Sequence, residues 1–119
     1  MAAPNIVSVG TITGKTAVQV IGTSATAIVT NSAASGKVFK VNTLLIANVD
    51  GSTSANVTVD LYRSSTAYHI IKSAPVPAGS TLDILSTTSV YLEEGDAIRL
   101  TASAASDLEG VASYEEISE

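Results

Sequence analysis

A chain of 119 residues suffices for one domain with one core, and its lack of cysteine excludes disulfide staples, thiolate catalysis, iron–sulfur clusters and thiolate zinc sites. Six Lys and Arg against eleven Asp and Glu leave a net charge of −5, which argues against a surface that tracks nucleic-acid phosphates. Charged residues are only 14% of the chain and hydrophobic ones 45%, so a neutral exterior of Ser, Thr and Asn is expected, suited to packing against other protein surfaces.

In chain order, Met1 to Asn5 has no basic region leading into an apolar one, so no secretory signal is expected, and no run approaches the roughly 18 apolar residues of a membrane helix. Residues 1–13 read as an extended arm or edge strand, able to add to a neighbour's sheet, ahead of a single domain over 14–119. Asn5 to Ile12, Thr16 to Ile21 and Ala25 to Thr30 are three weak strands. Lys37 to Val49 is a long strand with Phe39, Val41, Leu45, Ala47 and Val49 on one face and Leu44 and Ile46 on the other. Asn56 to Arg63 alternates cleanly, with Val57, Val59 and Leu61 facing one way and Asn56, Thr58, Asp60 and Tyr62 the other. Asp50-Gly51 is a turn signal between these two runs, which predicts an antiparallel hairpin over 37–63.

Ser64-Ser65 closes a tight turn into Thr66 to Lys72, and Pro75, Pro77 and Gly79 mark an irregular connection. Thr81 to Leu85 is the next strand. Val90 to Leu100 reads as a short strand, a charged turn, and a strand whose Ile98, Leu100 and Ala102 face inward. A last strand covers Glu109 to Ile117. Some eight to ten short strands at such spacing predict an all-β, antiparallel two-sheet β-sandwich, either jelly-roll or immunoglobulin-like.

The chemistry-bearing motifs are weak. Gly10-Thr11-Ile12-Thr13-Gly14-Lys15-Thr16 ends like a phosphate-binding loop but has three residues between its glycines where four are needed, so a plain turn is the better reading. His69 has no second histidine with which to build a metal cage, and no serine stands in a nucleophile elbow, so His69 reads as a surface or interface side chain. Glu93, Glu94 and Asp96 crowd one turn too short for a calcium loop and read as solvated, as does the tail Glu115 to Glu119. Asp50, Asp60 and Asp107 read as turn or edge acids. Asn56-Val57-Thr58 matches a glycosylation acceptor but falls inside a strand. Tyr62, Tyr68, Tyr91 and Tyr114 would make a glycan platform if the fold gathered them on one face. No catalytic, cofactor-binding or metal-binding residues are assigned, and no enzyme activity, cofactor, nucleic acid or membrane partner is expected.

Gly36 through Ile117 resembles small virion structural proteins of tailed bacteriophages, notably in Lys37-Val38-Phe39-Lys40-Val41-Asn42-Thr43-Leu44, Ile46-Ala47-Asn48-Val49-Asp50-Gly51, Tyr91-Leu92-Glu93-Glu94-Gly95-Asp96 and Ser113-Tyr114-Glu115-Glu116-Ile117. The resemblance implies a β-sandwich in the virion, assembled in the host cytoplasm. Its implied work is capsid decoration or cementing, with a tail or fibre module for receptors or glycans as the alternative. The implied partners are further copies of itself, a trimer being one option, and virion proteins such as the major capsid protein.

Overall fold

The β-branched, alternating runs form nine strands in the computed structural model, which describes residues 10–119. They are β1 (Thr11–Val20), β2 (Thr26–Thr30), β3 (Lys37–Asn48), β4 (Ala55–Arg63), β5 (Thr66–Val76), β6 (Thr81–Asp83), β7 (Val90–Leu92), β8 (Ala97–Ala102) and β9 (Leu108–Ser118). One sheet runs β1-β9-β3-β6, with β7 beside β6 on the same edge of β3, and the other runs β2-β8-β4-β5. The pairing is nested: β4 with β5, β3 with β6 and β7, β2 with β8, β1 with β9. One long hairpin is thus folded at the β4–β5 turn and rolled into two layers, which is the jelly-roll form of the sandwich.

The turn that starts this roll follows the sequence expectation. Ser64 and Ser65 both take left-handed φ, 52° and 61°, and Arg63 pairs directly with Thr66, as a two-residue hairpin with the right-handed strand twist requires. The predicted 37–63 hairpin, by contrast, does not form, because β3 and β4 lie in different sheets and face each other across the core. Gly51 does not adopt the positive φ that an Asp-Gly hairpin turn demands. Asn48 instead redirects the chain: its Nδ2 donates to Thr53 O and Val76 O at 2.9 Å each, and its Oδ1 accepts from Asp50 N. Two strands that each need to bury one apolar face gain more by packing face to face than edge to edge.

β3 carries a second correction. The register against β9 slips between Val41 and Thr43, so Phe39 and Val41 point inward before the bulge and Leu44, Ile46 and Asn48 after it. Leu45 and Ala47, expected to share the face of Phe39, point outward. The core joins these side chains to Val57 and Val59 of β4, Ile98 and Leu100 of β8, and Leu108 and Ala112 of β9.

The front of the chain also differs from expectation. Gly14 and Lys15 lie mid-strand, opposite Glu115 and Tyr114, so the segment from Gly10 to Thr16 is neither a phosphate loop nor a turn. Of the arm over residues 1–13, residues 1–9 lie outside the described residues, and 11–13 open an edge strand.

Candidate functional site

The charged turn between β7 and β8 is solvated at Glu93, as expected, but built into the fold at Glu94 and Asp96. Arg63, at the end of β4, donates from Nε to Asp96 Oδ1 at 2.8 Å and from Nη2 to Asp96 Oδ2 at 2.5 Å, and also reaches Glu93 at 3.0 Å. Asp96 is buried, and its Oδ2 accepts from Glu93 N, while Glu94 Oε2 accepts from Gly36 N at 2.8 Å. All three carboxylates are engaged, which leaves the open hollow of about 350 Å³ beside them without a free acid for proton transfer. Among the described residues no cluster of His, Asp or Glu is arranged to hold a metal.

Arg63 hydrogen bonds hold the Asp96 carboxyl below the usual carboxylate range against the opposing effect of burial. A depressed folded pKa stabilises above the unfolded value of about 3.9 and is lost as pH falls through the folded one. The urea midpoint should therefore drop between about pH 5 and pH 2, and Asp96→Asn should flatten part of that drop. An identical acid profile in the variant would show that the pair contributes nothing. A residual slope is expected from Glu116: burial pushes its pKa up, yet hydrogen bonds from Lys15 and Lys37 outweigh that and leave it lowered.

Directly behind the turn, Asn31 is fully buried and ties four segments together. Its Nδ2 donates to Lys37 O and Leu92 O at 2.9 and 3.0 Å, its Oδ1 accepts from Ser35 Oγ, its N donates to Asp96 O, and its O accepts from Gly95 N. Asn48 plays the same part at the opposite end of the sandwich. Asp60, expected at a turn or edge, lies within β4, between β8 and β5, and is buried under Arg99 of β8. Arg99 donates to both its oxygens at 2.9 and 3.2 Å and stacks 3.9 Å above the Tyr62 ring. His69 stands opposite Asp60 on β5, exposed.

The tyrosines do not gather. Tyr62 lies beneath Arg99 on the outer face of the β2-β8-β4-β5 sheet, and Tyr68 pairs with Leu61, on the other face of that sheet. Tyr114 stacks on Phe39 at 5.5 Å within the sandwich, and Tyr91 is exposed opposite Lys40, on the outer face of the other sheet. The discriminating feature of a glycan platform is therefore absent from the described residues.

What the surface does offer is apolar. Val18, Val111 and Leu45 are successive cross-strand neighbours on β1, β9 and β3, forming a row across the outer face. Val18 is 74% exposed, Val20 63% and Val111 39%. Beyond this row lies β1 itself, a ten-residue edge strand in unbroken register with β9 and bordered by no other strand of its sheet among the described residues. The remaining edges are protected in the ways proteins use against edge pairing. β5 is opposed by two register shifts and contains Pro75, β2 has five residues and a bulge, and β6 and β7 have three residues each. The i, i+2 period puts Val18 and Val20 on one face, but that this face is exposed and which edge is unpaired are properties of strand order that periodicity does not carry.

These features define an antiparallel two-sheet sandwich with an apolar edge that is unpaired among the described residues. No family model matches the sequence, and no curated protein matches it. The fold is similar to that of a chain from Bacillus endospore appendages, which form a family of disulfide-linked pili: 91% of this chain and 88% of that one superpose with a TM-score of 0.53 and 16% identity. At that identity the likeness is one of fold.

Proposed function

We propose that this chain is a non-enzymatic structural subunit whose work is contact with other protein surfaces, and that its setting is a tailed-phage particle, as a capsid decoration or cement protein. The carrying observation is the β1 edge, unpaired among the described residues, with the exposed Val18, Val20 and Val111. Long apolar edges are liabilities in free monomers, and burying them between subunits turns the liability into assembly. The charge-poor composition and the engagement of Asp60 and Asp96 in structural ion pairs support the same reading.

The strand and turn resemblance is what favours the phage setting. The endospore appendages are pili, so the same sandwich serves a structural protein in another context; this chain, lacking cysteine, would be joined by packing and strand pairing instead of disulfides. Light scattering over a range of concentrations, with co-sedimentation against capsids and tails from the same source, tests the proposal. A closed oligomer or binding to particles is expected. A monomer at every concentration that binds neither capsid nor tail overturns it.

A further inference from the structure

We infer that two copies of this chain join by isologous antiparallel pairing of β1 with β1, centred on Thr16, which extends the β1-β9-β3 sheet across a twofold axis. This rests on the assembly reading and names its partner and register. The Ile21 N donation to Leu108 O, in step with the ladder from Val20–Glu109 to Thr11–Ser118, fixes which groups β1 has already used. Hydrogen-bonding direction alternates along an antiparallel strand, so the odd residues face β9 and Ile12, Gly14, Thr16, Val18 and Val20 direct N–H and C=O to the free edge.

These five positions are symmetric about Thr16. With Thr16 opposite Thr16 of the second copy, Val18 meets Gly14 and Val20 meets Ile12, so every outward backbone group of the strand finds a partner. The side chains fit the same register. Val20 and Ile12, 63% and 55% exposed, become cross-strand neighbours twice over. Gly14, with open space where a Cβ would stand, leaves room beside Val18. On the inner side, Gln19 comes opposite the second copy's Thr13, and Gln19 Oε1 is a buried acceptor with no hydrogen-bond partner among the described residues.

Neighbouring registers are poorer. Moving the centre to Lys15 sets two lysines directly opposite each other, and moving it to Ala17 carries Ile12 past the end of the strand. Charge selects a second copy as the occupant as well. The chain carries a net −5, yet β1 contains no acid, and its one cation, Lys15, is already bound to Glu116 at 2.9 Å. β1 is thus a part of the surface where two acidic copies can meet without opposing carboxylates.

The test uses the absence of native cysteine. Thr16→Cys should crosslink to a dimer under mild oxidation, since paired residues stand about 5.5 Å apart, within disulfide reach. Val18→Cys should not, because four residues of offset separate the two copies of position 18 by roughly 13 Å. In parallel, Thr16→Pro removes an outward N–H that no other strand among the described residues uses and should weaken dimerisation by at least about tenfold, with Thr16→Val as the control that retains it. Circular dichroism confirms that each variant folds. Selective crosslinking at position 16 and loss of dimer in Thr16→Pro are the expected results. Equal crosslinking at 16 and 18, none at 16, or an unchanged dimer in Thr16→Pro overturns the pairing. If particle binding or another oligomer survives such a failure, the assembly reading stands without it; if the chain is also monomeric and binds no particle, both fall.

Discussion

Asn31→Leu is expected to lower the unfolding free energy by about 3–5 kcal/mol, a large share of the roughly 5–15 kcal/mol that a domain of this kind possesses. Leucine is bulkier than asparagine, so the loss does not come from a cavity. It comes from the backbone oxygens of Lys37 and Leu92, which the Asn31 amide satisfies at 2.9 and 3.0 Å inside the fold. Each hydrogen bond to these carbonyls that is lost without replacement costs about 1–3 kcal/mol. These carbonyls sit where β3 begins and β7 ends, so the variant also loosens the junction between the two sheets. Urea unfolding should show a lower midpoint with an unchanged slope. Asn31→Asp should be no better, because it replaces two donors by acceptors facing carbonyl oxygens. A loss below about 1 kcal/mol would mean that water reaches these groups and that the buried amide is dispensable.

Gly110→Val is expected to cost about 3 kcal/mol and Gly110→Ala about 1–3 kcal/mol, through overpacking. Gly110 lies on β9 between β1 and β3, facing the other sheet. A Cβ placed there would stand 2.8 Å from Leu100 Cδ1, 3.4 Å from Ile28 Cδ1 and 3.6 Å from Ile21 Cδ1. Leu100 is fully buried and has little room to withdraw. Glycine is used here for close approach of the layers, a role that has nothing to do with backbone conformation. The diagnostic is a double-mutant cycle: Leu100→Val is destabilising alone but should recover part of the loss in the Gly110→Ala background, giving a coupling of about 0.5–2 kcal/mol. Strict additivity would place the strain elsewhere.

The two corrections in β3 show what a sequence of this kind discloses. Val57, Val59 and Leu61 alternate without interruption, and β4 forms with that face inward, because a period of two maps directly onto the pleat. In β3 the same logic fails at one point. The slip after Val41 costs one residue of register and reverses the faces of Leu44, Leu45 and Ile46, and no residue type announces it. The Asp50-Gly51 signal misled for a different reason: local turn chemistry competed with the burial of two apolar faces, and burial prevailed. Ser64-Ser65 succeeded because β4 and β5 are neighbours in one sheet, where local and global preferences agree.

The buried polar residues were the least legible. Asn31 and Asn48 lie in segments that resemble any other strand end, and Asp60 in an alternating strand resembles a solvent-facing acid. Their roles depend on which carbonyls and which arginine the roll brings to them. Arg63 and the acids of the 93–96 turn are 30 or more residues apart in the chain and meet only because β4 ends beside the start of β8. The candidate edge was scarcely legible: alternation puts Val18 and Val20 on one face, which as an apolar face would read as inward, while their exposure and their position at the rim follow from topology.

The nested roll brings Gly10 and Ser118 side by side, with Gly10 N bonded to Ser118 O at 3.1 Å, and this sets how the molecule would carry a load. A force drawing those two residues apart acts along the hydrogen bonds of the β1–β9 ladder and opens them one after another from that end, the weak way to pull a pair of strands. A force transmitted along β1 by an adjoining strand would load the whole ladder in shear, all bonds together. Toughness in an assembly of such subunits would therefore reside in sideways joins between sheets, and the two strand ends would be its poorest handles.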